Sequence, residues 1–217
     1  MGSSCFSLDP LAPGTLGPFF TLGESVREKD HIIEAIIKIE LRMFLTVNPR
    51  QTSSCQEYPE SFKMHRRAQF YPWSDEALDS YLDDLQQAKG RGDNLMRRKY
   101  VRMQGLLPEA EGNPVVEEIV RLKMDWQRAM FRDYPAVMSG ARPLTDESAR
   151  AQMTSFETYA RGELETYSER TLALLHRDML AMQAAGESLS VKVYDYLVRA
   201  SGYASLAEAE KKLRLKG

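Results

Sequence analysis

Cysteine is scarce in this sequence. Cys5 and Cys55 are the only two among its 217 residues, which is too few for a disulfide scaffold or for a zinc site built from four thiolates. We therefore expect a reduced, cytoplasmic protein. Cys55 precedes an arginine pair that would favour a reactive thiolate, but a lone cysteine with no assured histidine partner is a weak indication of nucleophilic catalysis.

Long apolar runs and an excess of charge of one sign are missing as well. No run approaches the roughly 20 residues needed to cross a bilayer, and the first residues lack the basic and then apolar pattern of a secretory signal. The formal net charge is −2, whereas a nucleic-acid-binding face needs an excess of basic residues. We expect neither a membrane nor a nucleic acid as a partner.

Strand patterns and phosphate loops are also absent. No segment alternates between apolar and polar residues for long enough to predict a strand, and "GRGDN" has neither the glycine spacing nor the preceding strand of a phosphate loop. Helix-capping residues recur instead. We predict an all-α fold, a single irregular helical bundle of about six or seven helices with long ordered loops. Residues 1–24, rich in Gly, Pro and Ser, are expected to form a flexible arm before a single helical domain at 25–217.

Capping signals and helix breakers locate the predicted helices along the chain. Serine, asparagine or threonine stands before most of the apolar-periodic segments, and glycine or proline follows them. The helices are expected from Ser25 to about Val47, from Pro59 to Phe70, after Ser74, from Asn94 to Met103, from Pro114 to Pro135, from Thr154 to about Ala185, from Ser190 to Gly202 and from Ser205 onward.

Two stretches carry a resemblance to a known family. They are "SCQEYPESFKMHRRAQFYPWSDEALDSYLDDLQQAKGRGDNLMRRKYVRM" and "TSFETYARGELETYSERTLAL". Together they resemble a bacterial family, the domain-of-unknown-function family numbered four-one-two-five, over about residues 31–213. The resemblance implies a helical bacterial domain. It implies no activity and supplies no catalytic residues, so mechanism has to be argued from the residues themselves.

Glu40 stands in the middle of an apolar stripe. Helical spacing predicts that the stripe faces a core, and an ionised carboxylate there costs several kcal/mol unless it is paired. The candidate partners are Arg66, Arg67, Tyr100 and Tyr167. Two interpretations fit: Glu40 belongs to a buried structural ion pair, or it belongs to a ligand or catalytic pocket. The stripe consists of Ile33, Ile36, Ile37, Phe44 and Val47.

The segment "TSFETYARGELETYSE" is predicted to be one helix with an unusually polar inner face. Tyr159 precedes Glu163 by four residues, and Glu163 precedes Tyr167 by four, so both pairs would touch. Gly162 costs about 1 kcal/mol relative to alanine in a helix and would let a backbone or a ligand come close. The tyrosines either fill core edges with their hydroxyls in water, or they floor a polar cleft.

Two further patterns are candidates for a ligand site or a metal site. "MHRRAQFYPW" places two arginines among aromatic residues, a mixture that suits an anion or a planar ring but equally suits a loop pinned to the core. Glu28 and His31 have the Glu-x-x-His spacing of di-iron bundles, but the second pair that such a site needs is absent. We predict no metal site, and the sequence does not identify a cofactor.

The leading hypothesis is a helical pocket that binds a small, anionic molecule. Arg67 would hold the anionic group, and a raised pKa of Glu40 or Glu163, which burial favours, would support acid–base chemistry. The pattern does not decide between an enzyme and a binding protein. The rival hypothesis is a protein–protein interaction module or a homodimer, since Tyr, Trp and Arg dominate such interfaces. The predicted ligand-binding residues are Glu40, Cys55, Gln56, Arg67, Gln69, Trp73, Tyr100, Tyr159, Glu163 and Tyr167.

Overall fold

A computed structural model describes residues 24–47, 59–106, 112–146 and 154–215 of the chain. Almost all of the predicted arm lies outside these ranges. So do Cys55 and Gln56, two of the predicted ligand-binding residues.

The described residues form nine α-helices and one short 3-10 helix, and they contain no strand. The predicted all-α class is confirmed, but a count of six or seven helices was too low. The α-helices are α1 (Glu24–Leu45), α2 (Pro59–Phe70), α3 (Asp75–Gly90), α4 (Leu95–Met103), α5 (Pro114–Asp133), α6 (Phe156–Leu164), α7 (Glu169–Ala184), α8 (Leu189–Ala200) and α9 (Leu206–Arg214). The 3-10 helix spans Val137–Gly140.

Most helices begin where a short polar side chain can cap them. The side chain of Ser74 accepts a hydrogen bond from the backbone N–H of Ala77 at the start of α3, and Asn94 and Asn113 cap α4 and α5 in the same way. Each cap satisfies an N–H that has no partner inside the helix. Two predicted starts were displaced: α1 begins at Glu24, and α8 is capped by Ser188 rather than beginning at Ser190.

The predicted long helix from Thr154 to Ala185 is two helices. Ser155, not Thr154, caps α6, and Ser168 caps α7 by accepting from the N–H of Thr171 at 3.2 Å. At the end of α6 the Thr166 hydroxyl donates to the carbonyl oxygen of Glu163 at 2.7 Å. Hydroxyl side chains that bond the local backbone compete with a continuous helix in this way. Tyr167 therefore lies between two helices, and its predicted pairing with Glu163 on one helix face was wrong.

Two groups of helices enclose the main core. α1 packs against α2, α3 and α4, and α5 packs against α6, α7 and α8. The apolar stripe of α1 is buried as predicted at Ile33, Ile36, Ile37 and Phe44. A second, smaller apolar cluster joins the end of α5, the 3-10 helix, α8 and α9. None of the described helices is both long enough and apolar enough to cross a membrane.

Gly162 marks the contact between α6 and α4. A Cβ atom at this position would lie 3.1 Å from the Met103 side chain and 3.4 Å from the backbone carbonyl oxygen of Lys99. The missing side chain therefore lets the two helices approach closely. This contact brings Lys99 of α4 towards Glu163 of α6.

Candidate functional site

Glu40 is fully buried and paired with an arginine. The Nε and Nη2 atoms of Arg66 donate to its two carboxylate oxygens at 2.6 and 2.5 Å, and the Tyr81 hydroxyl donates to one of them at 2.7 Å. The prediction that Glu40 points inward and meets an arginine of the 66–67 pair is confirmed. A bidentate pair of this kind is the strongest geometry available to a carboxylate in a core.

Arg66 also holds a second buried carboxylate, that of Glu163. Its Nη1 atom donates to Glu163 at 2.6 Å and to the Gln69 side-chain oxygen at 2.8 Å, while Gln69 donates to the other Glu163 oxygen at 2.9 Å. The Lys99 ammonium lies 3.6 Å from the same carboxylate. One guanidinium thus joins α1, α2 and α6.

The environment of Glu163 favours its ionised form. Burial opposes ionisation, but the positive charges of Arg66, Lys99 and Lys123 outweigh it and hold the pKa of Glu163 well below its usual range. The raised pKa of Glu163 that the acid–base hypothesis requires is therefore not found, because the effect of the neighbouring cations was not visible in the sequence. A carboxylate that stays ionised at neutral pH does not serve as a general acid.

Tyr159 lies between two cations. The Lys99 ammonium is 3.7 Å from the centre of its ring, and the guanidinium carbon of Arg142 is 4.8 Å from it. Both distances suit a cation over an aromatic face. Burial, reinforced by the charge of Glu163, raises the pKa of Tyr159 to about 12, so the phenol is neutral at ordinary pH.

A cavity of about 170 Å³ opens beside this network. Most of its wall is apolar or aromatic, and side chains from α1, α2, α4, α5, α6 and α8 contribute to it. Four of the lining residues were described above with the ion-pair network: Arg66, Gln69, Tyr159 and Glu163. The remaining lining residues are Phe44, Phe62, His65, Met96, Tyr100, Lys123, Gln127, Arg142, Phe156, Ala160, Leu189, Ser190, Val193, Tyr194 and Leu197.

Lys123 differs from every other cation of the cavity wall. Its side chain is only 7% exposed, yet it forms no hydrogen bond and no ion pair with any residue that the structure describes. Arg142 donates to the carbonyl oxygen of Thr154 at 3.0 Å. Burial lowers the pKa of Lys123, Glu163 counteracts this, and Lys99 and Arg66 lower it further.

Several hydrogen-bonded polar side chains line another part of the cavity wall. The Gln127 amide donates to the Tyr194 hydroxyl at 3.0 Å, and the Ser190 hydroxyl donates to the Gln127 oxygen at 3.2 Å. The Nδ1 atom of His65 lies 2.7 Å from the carbonyl oxygen of Ser61, to which it donates. Burial lowers the pKa of His65, so its ring adds no charge at neutral pH.

The structure gathers only part of the predicted site. Gln69, Tyr100, Tyr159 and Glu163 line the cavity, and Glu40 lies directly behind Arg66. Whether any of these residues binds a ligand stays a prediction.

Three other predicted residues lie away from the cavity wall. Arg67 forms ion pairs with Asp30 and Glu34, and Arg66 rather than Arg67 lines the cavity. That Arg67 holds an anionic group stays a prediction. Trp73 and Tyr167 pack edge to face with ring centres 5.9 Å apart. The hydroxyl of Tyr167 is buried and has no hydrogen-bond partner among the residues described.

Several wall residues were missed from the sequence, although a signal for two of them exists. Lys123 and Gln127 are four residues apart on α5 and continue the buried face formed by Val116, Ile119 and Met130. They are polar residues inside an apolar stripe, which is the same signal that identified Glu40. Arg142 and Tyr194 carry no comparable signal, because only the packing of distant segments brings them to the cavity.

No metal-binding cluster of three or more His, Cys, Asp or Glu side chains occurs within residues 24–47, 59–106, 112–146 and 154–215. The chain matches, over residues 30–211, the family model described as "Protein of unknown function (DUF4125)". This match confirms the resemblance carried by the two motifs. No curated protein and no solved structure matches the chain.

Proposed function

We propose that this chain, which belongs to the DUF4125 family, binds a small anionic molecule in the cavity beside Lys123. The observation that carries the proposal is the buried Lys123 side chain, which forms no ion pair and no hydrogen bond with the described residues and is attracted only at longer range by Glu163. A buried charge without a partner is costly, and a bound anion would remove that cost. A carboxylate is the simplest ligand group of this kind.

The charge balance around the cavity supports an anionic ligand. Four basic side chains surround two carboxylates, and both carboxylates already accept hydrogen bonds from the protein. The two acids are therefore already shared among these basic residues and leave an excess of positive charge beside the cavity. The basic residues are Arg66, Lys99, Lys123 and Arg142, and the acids are Glu40 and Glu163.

The size and lining of the cavity define the rest of the ligand. A volume of about 170 Å³ is close to the roughly 150 Å³ of an engineered cavity that holds benzene. Its wall is mainly apolar and aromatic, which suits the apolar body of a small acid. The proposed ligand is thus a small carboxylate of about the size of a benzene derivative.

The two buried acids have a supporting role in this proposal. Arg66 uses its Nε, Nη1 and Nη2 atoms on Glu40, Gln69 and Glu163, so it is committed to the protein. Lys123 and Arg142 would contact the ligand, in place of Arg67. Binding rather than acid–base catalysis is proposed, because the pKa of Glu163 is held low.

The rival hypothesis, an interaction module or a homodimer, needs the tyrosines of this cluster at an exposed surface. Tyr167 is buried and Tyr159 faces a cavity. Nothing about this cluster favours a protein partner, so we do not adopt the rival hypothesis for it.

Isothermal titration calorimetry with benzoate and its neutral analogue benzamide tests the proposal. We expect benzoate to bind at one site and benzamide to bind much more weakly. Lys123→Met should weaken benzoate binding roughly tenfold to a hundredfold, as expected for the loss of a charged hydrogen bond worth about 1.5–3 kcal/mol. Lys63→Met is the matched control, because Lys63 is a half-exposed lysine paired with Glu60. Equal binding of benzoate and benzamide, or none of either, would reject the proposal.

A further inference from the structure

We infer that Lys123 is a nucleophilic lysine, which forms an imine with the carbonyl carbon of a small oxo acid bound in the cavity. This inference rests on the proposed function, since Arg142 would hold the acid group of the oxo acid in the anion site while its carbonyl carbon meets Lys123. It adds a covalent step and narrows the ligand class to carboxylates that also carry a ketone or an aldehyde.

The first argument is the contrast between the two buried lysines. Lys99 lies 3.6 Å from the Glu163 carboxylate and 3.7 Å from the centre of the Tyr159 ring, and these contacts partly offset the burial that lowers its pKa. Lys123 is buried to a similar degree but has neither an ion pair nor a hydrogen bond within the described part of the chain. The protein therefore gives Lys99 a close counter-ion and leaves Lys123 with only the longer-range attraction of Glu163.

The second argument concerns the groups that face Lys123. Among the titratable groups that act on Lys123 or share its cavity, Glu163 is the acid, and it attracts Lys123 but is already bonded to Arg66. The other groups carry a positive charge or are neutral at ordinary pH. A lysine that is desolvated beside other cations is the environment in which the neutral, nucleophilic amine is favoured. The lowered pKa of Lys123 agrees with this geometry. The groups concerned are Arg66 and His65 from α2, Lys99 and Tyr100 from α4, Arg142 from the segment that follows the 3-10 helix, Tyr159 and Glu163 from α6, and Tyr194 from α8.

The proposed step is balanced without any further reactant. The lone pair of the Lys123 Nζ atom attacks the carbonyl carbon and forms a C–N bond, while the carbonyl π electrons move to oxygen, which takes up a proton. The nitrogen then forms a double bond to the same carbon, the hydroxyl leaves as water, and the two amine protons are released in the course of these transfers. An oxo acid and the amine thus give one imine and one molecule of water. The apolar wall slows the reverse reaction by restricting water.

Trapping with pyruvate and sodium cyanoborohydride tests the inference on the full chain. Cyanoborohydride reduces an imine to a stable secondary amine, which peptide mapping by mass spectrometry then locates. We expect one adduct per chain on Lys123, formed at least about tenfold faster than on Lys63, because an ordinary lysine is almost entirely protonated at neutral pH. Benzoate should suppress the Lys123 adduct by competing for the site, and Lys123→Met should abolish it.

The outcomes separate the inference from the proposed function. If benzoate binds but pyruvate labels Lys123 no faster than Lys63, the nucleophilic role is overturned and the anion site stands. If benzoate does not bind and Lys123 is not labelled, both are overturned. Labelling of Lys123 that benzoate suppresses supports both. Because the labelled residue is located in the wild-type chain, the test does not depend on the folding of the Lys123→Met variant.

Discussion

Replacing Arg66 by methionine should destabilise the protein far more than the same replacement at its neighbour Arg67. Arg66→Met removes four hydrogen bonds and leaves the carboxylates of Glu40 and Glu163 buried without their main counter-ion. Breaking one buried ion pair costs about 3–5 kcal/mol, and two acids are affected here. We expect a loss of about 5 kcal/mol, against a total stability of about 5–15 kcal/mol for typical proteins.

Arg67→Met is the matched control. Arg67 lies one residue further along α2, its side chain is 28% exposed, and it pairs with Asp30 and Glu34, whose side chains are more than half exposed. Surface ion pairs of this kind contribute about 0–1 kcal/mol. The two variants therefore lose the same side-chain atoms and differ mainly in whether a buried or an exposed charge network is broken.

Urea unfolding followed by far-ultraviolet circular dichroism measures both variants. With a slope of about 1–3 kcal/mol per molar urea, Arg66→Met should lower the midpoint by roughly 2 M or more, and Arg67→Met by well under 1 M. The wild type loses the contribution of Glu163 as pH falls through its low folded-state pKa. The Arg66→Met variant instead gains stability as its buried acids take up protons. The difference in stability between this variant and the wild type should therefore narrow at acidic pH. Equal losses for the two variants would refute the buried network.

Three further variants test separate parts of the structure. Glu40→Gln should lower the stability by about 2–4 kcal/mol, because the groups that hydrogen-bond to Glu40 are all donors and one of them would face the new amide N–H, which is also a donor. Thermal unfolding measures this loss, and an unchanged stability would contradict the argument. Lys123→Met should stabilise the protein by about 1 kcal/mol or more at neutral pH. Because burial lowers the pKa of Lys123 in the folded state, the wild type becomes more stable as the pH rises towards the pKa of a lysine in the unfolded chain. The stability advantage of Lys123→Met should therefore shrink at alkaline pH. Denaturant unfolding at several pH values measures it, and a stability difference that stays constant would contradict the argument. Gly162→Val should cost roughly 1–3 kcal/mol by crowding the Lys99 carbonyl, and urea unfolding with no loss would disprove the close approach of α4 and α6.

The sequence predicted most helix starts to within two residues, and the inward orientation of Glu40, because both depend on local chemistry. Caps need only a short polar side chain, and an acid inside an apolar stripe is visible from spacing alone. The break between α6 and α7 was missed, because Ser168 competes with an otherwise continuous helical pattern. The sequence left the choice between Arg66 and Arg67 as the partner of Glu40 open, because no sequence feature reveals which of two adjacent helical residues meets α1 from the inside.

The cavity itself lay beyond sequence reasoning. Its wall comes from six helices and a connecting segment, and its volume depends on gaps between side chains that are far apart in the chain. The spacing of Lys123 and Gln127 on α5 does reveal two polar residues on a buried face. The spacing does not reveal that Lys123 lacks a hydrogen-bond or ion-pair partner, because the pairing depends on how Glu163 is shared between Arg66 and Lys99.

The most direct test of the proposed anion site is an NMR titration that follows methionine methyl groups carrying an isotope label. Met96 lines the cavity, whereas Met179 is buried in the main core and does not line it. Our account predicts that benzoate shifts the Met96 signal in a saturable manner and leaves Met179 unchanged, and that benzamide at the same concentration has little effect. A Met96 signal that does not respond to benzoate, or that responds equally to benzamide, would contradict it.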